Sequence, residues 1–152
     1  MAAEPADEIL DYAIEREQEA HDYYMDLASR SQRPGMKQTF TQFAGEELGH
    51  KKRLEGIKQG KLMVAASPRR IQDLKIAEYV VDVDDSGGEL SMQDALILAM
   101  KREKASFRLY SDLADAIDDP NLKSTFLMLA QEEAKHKLRF EVEYDEVILA
   151  DN

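Results

Sequence analysis

The chain has 152 residues, 43% hydrophobic and 34% charged, with few glycines and prolines, which suits one helical domain with charged outer faces. A formal charge of −11, with no basic cluster beyond short pairs such as Lys51–Lys52–Arg53, argues against a nucleic-acid partner, and the lack of cysteine excludes disulfides, thiolate metal sites and iron–sulfur clusters. No apolar run approaches the ~20 residues of a membrane span, and the start of the chain has neither the basic nor the apolar region of a signal peptide, so the expected setting is cytoplasmic and away from membranes.

Four long helices are predicted, in two hairpins. In the first, about residues 5–59, Leu10, Ala13, Glu17, Ala20, Tyr24 and Leu27 recur at spacings of three and four, which places them on one helical face. Ser31-Gln32-Arg33-Pro34-Gly35 breaks that helix. A second follows with Phe40, Phe43, Glu47, His50, Leu54 and Ile57 on a common stripe. About residues 60–90 form a long connection. Ser67-Pro68 starts a short helix there, with Ile71, Leu74 and Ile76 available to pack on the bundle. Asp82 to Glu89 reads as a turn-rich loop without the ligand spacing of a calcium loop. So long a connection is expected to cross over and let like-directed helices lie side by side. In the second hairpin, about 91–149, Ser91 with Asp94 forms a cap for the third helix, and Asp118-Asp119-Pro120 opens a fourth that runs to about Val147.

The two hairpins are copies. Shifted by 86 residues, Leu10–Glu55 aligns without a gap on Leu96–Glu141 and is identical at 19 of 46 positions, so the chain arose by duplication. The matches include Arg16/Arg102, Glu17/Glu103, Tyr24/Tyr110, Phe40/Phe126, Glu46-Glu47/Glu132-Glu133 and His50/His136.

Six of the repeated polar residues interrupt apolar stripes. Glu17 and Glu103 lie on the inward faces of the first and third helices, and Glu47-x-x-His50 and Glu133-x-x-His136 on those of the second and fourth. Residues three apart on a helix are neighbours, so each Glu and His can reach one point. A buried carboxylate without a partner costs several kcal/mol or takes up a proton, and four in one core call for cations. Two divalent ions supply the matching charge, which would leave about −7 on the remainder. One Glu from each of two helices with Glu-x-x-His from each of the other two is the ligand set of di-iron and di-manganese carboxylate bundles. Oxygen and nitrogen donors without sulfur fit iron or manganese, with zinc as a further option. Two solvated faces duplicated together would not sit among Phe40, Phe43, Phe126 and Leu129. Tyr24 and Tyr110, seven residues beyond Glu17 and Glu103, are candidates to hydrogen-bond a ligand carboxylate or to donate an electron, or else ordinary core tyrosines. Glu46 and Glu132 are expected on the surface, with orientation of a histidine on a neighbouring helix as the alternative, and His21, whose counterpart is Phe107, falls outside the symmetric set.

The stretches Ala-Ile-Glu-Arg-Glu-Gln-Glu-Ala-His-Asp-Tyr-Tyr, Phe-Ala-Gly-Glu-Glu-Leu-Gly-His and Ala-Gln-Glu-Glu-Ala-Lys-His resemble those of rubrerythrin-related members of the ferritin-like superfamily. The resemblance covers nearly the whole chain. It implies a ferritin-like four-helix bundle, two iron ions held by Glu17, Glu47, His50, Glu103, Glu133 and His136, and reduction of hydrogen peroxide or oxygen with electrons from an external donor protein. Rubrerythrins usually append a four-cysteine rubredoxin domain, and they carry an additional Glu one turn after the third-helix ligand, where this chain has Ser106. The remaining six-ligand set is more like that of bacterioferritin. Bacterioferritin binds haem through a Met directly after the second-helix ligand Glu; here that residue is Leu48, and no haem is expected. Iron binding for storage or transfer is the alternative implied. A homodimer or larger homo-oligomer is expected, and the long connection would permit two chains to exchange hairpins.

Overall fold

The structure, a computed structural model, describes residues 5–65, 68–81 and 91–151. The loop expected at Asp82–Glu89, and Ser67, lie outside the described residues. Among those described, the elements are α1 (Pro5–Arg30), α2 (Pro34–Gln59), a short α3 (Pro68–Gln72), α4 (Met92–Asp115) and α5 (Pro120–Asp151), with 3-10 turns at Leu62–Ala65 and Ile76–Tyr79. α1, α2, α4 and α5 form a four-helix bundle in which α1 packs along α2 and α4 along α5.

Local chemistry explains the boundaries. The break after α1 spans only Ser31–Arg33, because Pro34 opens α2, where a missing N–H costs nothing. Ser91 Oγ accepts the backbone N–H of Asp94 and caps α4. Asp119 Oδ2 accepts from Leu122 N at 2.8 Å and caps α5. α5 runs on to Asp151, beyond the expected Val147, as its inward stripe continues through Phe140 and Glu143, both buried.

The described part of the connection packs against the bundle. α3 packs on α1 and the turn at Ile76–Tyr79 packs on α4; Ile71 is buried, and Leu74 and Ile76 partly so, against the core. Tyr79 donates to Asp112 Oδ2 at 2.6 Å and fixes the connection to α4. The crossover has a different outcome from the one expected. Tyr24 bonds Glu103 and Tyr110 bonds Glu17, an order that requires α1 and α4 to run antiparallel. His50 with Glu132 and His136 with Glu46 establish the same for α2 and α5. Every neighbouring pair is therefore antiparallel, and like-directed helices oppose each other diagonally rather than side by side.

The apolar core is in two parts. One cluster gathers Leu10, Leu54, Tyr110, Leu113, Phe126 and Leu129; the other gathers Tyr24, Leu27, Phe40, Phe43, Leu96 and Phe140. Between them lies a layer of buried charge. No helix among the described residues is long and apolar enough to cross a membrane.

Candidate metal centre

The layer consists of the six residues singled out above. Glu17, Glu47, His50, Glu103, Glu133 and His136 are each at most 5% exposed, and each stands on an apolar stripe that forces it inward with its neighbours. They form two overlapping groups, Glu17/Glu47/His50/Glu133 and Glu47/Glu103/Glu133/His136, and within each group one donor atom per residue lies within 4.8 Å of the others. The repeat alone suggests two separate triads. Folding instead makes Glu47 and Glu133 common to both groups, with Glu17 and Glu103 at the outer positions.

Each histidine faces the carboxylate of the other hairpin. Nδ1 of His50 lies 2.8 Å from Glu133 Oε1, and Nδ1 of His136 lies 2.9 Å from Glu47 Oε1. The opposite ring nitrogens are occupied: Nε2 of His50 donates to Glu132 Oε2, and Nε2 of His136 donates to Glu46 Oε2 at 2.5 Å. A carboxylate can only accept, so Nε2 carries a proton; with ions bound the ring would be neutral and turn its Nδ1 lone pair to them, whereas without ions Nδ1, which also faces a carboxylate, holds a proton as well. Phe43 stacks on the His136 ring at 4.0 Å between centroids and holds it in plane.

Tyr24 donates to Glu103 Oε1 and Tyr110 to Glu17 Oε1, each from the facing helix. Burial, then the charge of Glu103 beside Tyr24 and of Glu17 beside Tyr110, pushes both phenols well above their ordinary value, so they stay protonated donors. Each outer carboxylate has thus one oxygen bound by a tyrosine and one left over.

The leftover atoms test whether cations fit. Glu17 Oε2, Glu47 Oε1, His50 Nδ1, Glu103 Oε2, Glu133 Oε1 and His136 Nδ1 are buried without a hydrogen-bond partner, one from each of the six residues. Buried polar atoms are nearly always satisfied, and lone pairs that converge on each other repel. Four carboxylate oxygens and two imidazole nitrogens form a hard, sulfur-free donor set that two divalent ions satisfy. Without cations the cluster must hold protons. Burial, reinforced by the surrounding carboxylates, pushes Glu47 and Glu133 well above the usual range. Burial also works to raise Glu17, but its neighbours Glu47, His50 and Tyr110 outweigh it and hold that carboxyl below its ordinary value. Burial opposes protonation of His50, but Glu133 and Glu17 overcome it and raise the imidazole to about 11. His136 is raised likewise by Glu103 and Glu46 against its burial.

Two assignments change. Glu46 and Glu132, placed on the surface from their sequence, are half-exposed yet bond the histidines directly. The signal was present, since both are repeated beside a repeated Glu. His21 stays outside the cluster, with Nδ1 2.9 Å from the Ala44 carbonyl.

The sequence profile of the rubrerythrin family matches residues 8–144. No curated protein matches the chain. Among solved structures, a candidate ferritin-like diiron-carboxylate protein from Thermotoga maritima superposes with a TM-score of 0.76 at 22% identity, over 95% of this chain and 97% of that one, which supports the fold. With its profile match spanning nearly the whole chain, its ferritin-like bundle and its buried carboxylate–histidine cluster, the chain belongs to the rubrerythrin family of ferritin-like di-iron carboxylate proteins.

Proposed function

We propose that Glu17, Glu47, His50, Glu103, Glu133 and His136 hold two iron ions, and that the protein is an oxidoreductase that reduces hydrogen peroxide or oxygen there. The six convergent, unpartnered donor atoms carry this reading. Iron is favoured over manganese or zinc by family membership alone, since the donor set admits all three. When bound there, two ferrous ions would supply the two electrons that the oxidant takes up, and an external donor protein would restore them.

The chain's own residues shape that chemistry. Glu47 and Glu133 each contribute a donor atom to both groups, so each could serve both ions. Tyr24 and Tyr110 fix one oxygen of Glu103 and of Glu17, which leaves the other to turn toward an ion. Glu46 and Glu132 set the tautomer of His136 and His50 and keep Nδ1 available. The apolar clusters close the layer off above and below, which leaves the seam between α1 and α4 as a way in.

Peroxide is the preferred oxidant on the strength of the family. Mixing anaerobic ferrous protein with peroxide or oxygen in parallel stopped-flow runs is expected to show oxidation at least tenfold faster with peroxide. Equal or faster oxidation by oxygen, with growth of a ferric mineral, would replace this reading with iron storage.

A further inference from the structure

We propose that the seam between α1 and α4 contains a binding site for a small organic carboxylate with an apolar body, its charge held by Arg16 and Arg102. The proposal rests on the metal-centre reading only in placing that ligand beside the ions. A cavity of about 180 Å³ lies in this seam, with Tyr24, Glu103 and Glu133 of the buried layer on its inner side and Tyr79–Val81 of the connection on another. Its position follows from the repeat and the antiparallel pairing. Arg16 and Arg102 are counterparts, each directly before Glu17 or Glu103, and the pairing of α1 with α4 brings both to one seam. Ala20 and Ser106 are also counterparts, and their small side chains leave the space between the helices open.

Size and charge select the ligand. A water occupies roughly 30 Å³ of liquid, whereas a cavity of roughly 150 Å³ accepts benzene, so peroxide or oxygen alone would leave most of this cavity unfilled. Tyr12, Tyr24 and Leu109 offer apolar and aromatic surface to a ring or short chain. Apart from Glu103 and Glu133, whose free oxygens belong to the metal centre, the unpartnered charged groups of the lining are donors. Arg102 is half-buried and stacks its guanidinium 4.8 Å from the Tyr23 ring centroid, and it has no ion pair among the described residues. Arg16 pairs through Nη2 with Glu19 at 2.6 Å, but its Nε is buried without a partner. Glu19 also lines the cavity and takes up part of one positive charge, which leaves Arg102 as the main anchor and Arg16 Nε as a second donor. Guanidinium groups bind carboxylates through paired N–H donors, a geometry that a neutral amide reproduces poorly.

Benzoate and its neutral counterpart benzamide are suitable probes, titrated calorimetrically into anaerobic ferrous protein whose iron content is measured in the same samples. Benzoate is expected to bind once per chain and benzamide at least tenfold more weakly. Arg102→Gln should weaken benzoate at least tenfold, and Ser106→Leu, which fills the seam, should abolish its binding, with iron stoichiometry unchanged in both. Absence of benzoate binding to protein that holds two irons would overturn the carboxylate site and leave the metal centre standing. Benzoate binding that neither substitution alters would also overturn it, since the carboxylate would then be on the metal alone. If the chain takes up no iron, the metal reading fails, and the same titration with Arg102→Gln on the metal-free chain still decides the carboxylate site.

Discussion

Replacing Glu133 by alanine is expected to abolish tight binding of both metal ions, whereas replacing Glu17 by alanine should weaken one and leave the other. Glu133 contributes to both groups of donor atoms, and Glu17 to the first alone. Loss of Glu133 also strips His50 Nδ1 of the carboxylate 2.8 Å away. Glu47→Ala should behave like Glu133→Ala, and Glu103→Ala should be the mirror image of Glu17→Ala, with the surviving ion on the His50 side. A tenfold loss of affinity corresponds to about 1.4 kcal/mol, and each lost ligand is expected to exceed that at the site it serves. Equilibrium Fe(II) binding with each variant reads the pattern directly. If the Glu17 and Glu133 variants lost the same number of ions, the shared role of Glu133 would be wrong. Helical circular dichroism of the metal-free variants separates loss of ligand from loss of fold.

The second large effect is on stability against pH. In the metal-free protein Glu47 and Glu133 are raised by burial and by the carboxylates around them, and His50 is raised from 6.5 to about 11 by Glu133 and Glu17 against its burial. A group whose folded value is raised binds more protons in the folded state, so the stability it contributes is full below its unfolded value and falls as pH rises toward the folded one. For His50 that window runs from about 6.5 to about 11, and for the two carboxyls it opens near 4.5 and extends upward. Glu17 has the opposite sign and matters only below its ordinary value. The urea midpoint of metal-free protein is therefore expected to fall steadily between about pH 6 and pH 9. Ferrous iron displaces those protons, so its affinity should rise over the same range and loading should release protons into solution. Iron at a thousandfold excess over its dissociation constant adds about 4 kcal/mol per site, which for a domain of this size raises the melting temperature by about 10 °C or more. A flat metal-free profile, or iron binding independent of pH, would contradict the assignment of protons to the cluster.

Much of this was legible in the sequence, for identifiable reasons. Glu17, Glu47, His50, Glu103, Glu133 and His136 could be picked out because they break apolar stripes at helical spacing and do so twice, 86 residues apart. Tyr24 and Tyr110 share those stripes, but their partners depend on the direction of the facing helix. Seven residues are about 10 Å of helix, so Tyr24 reaches Glu103 only because α4 runs antiparallel to α1. The same dependence hid the role of Glu46 and Glu132. Each is turned about 100° from its inward neighbour, on a flank that reads as solvent-facing until α2 and α5 are brought together. The division of donors into overlapping groups was equally out of reach. A repeat describes each hairpin by itself, whereas the short Nδ1 approaches run between hairpins. The cavity depends on how far α1 and α4 stand apart, which no spacing encodes.

The ligand geometry also bears on how this chain differs from relatives that carry an additional Glu one turn past the third-helix ligand. Ser106 stands there, and it lines the seam cavity instead of adding a donor to the cluster. The six-donor set is consequently symmetric about the repeat, with the same residue types on each side.

The most direct measurement is X-ray diffraction from crystals of the iron-loaded protein at the iron absorption edge. The account predicts two anomalous peaks per chain in the layer between Leu54 and Phe140, one beside His50 and Glu17 and the other beside His136 and Glu103, with Glu47 and Glu133 in contact with both. A single peak, peaks outside the layer, or none in protein that retains its fold would contradict it.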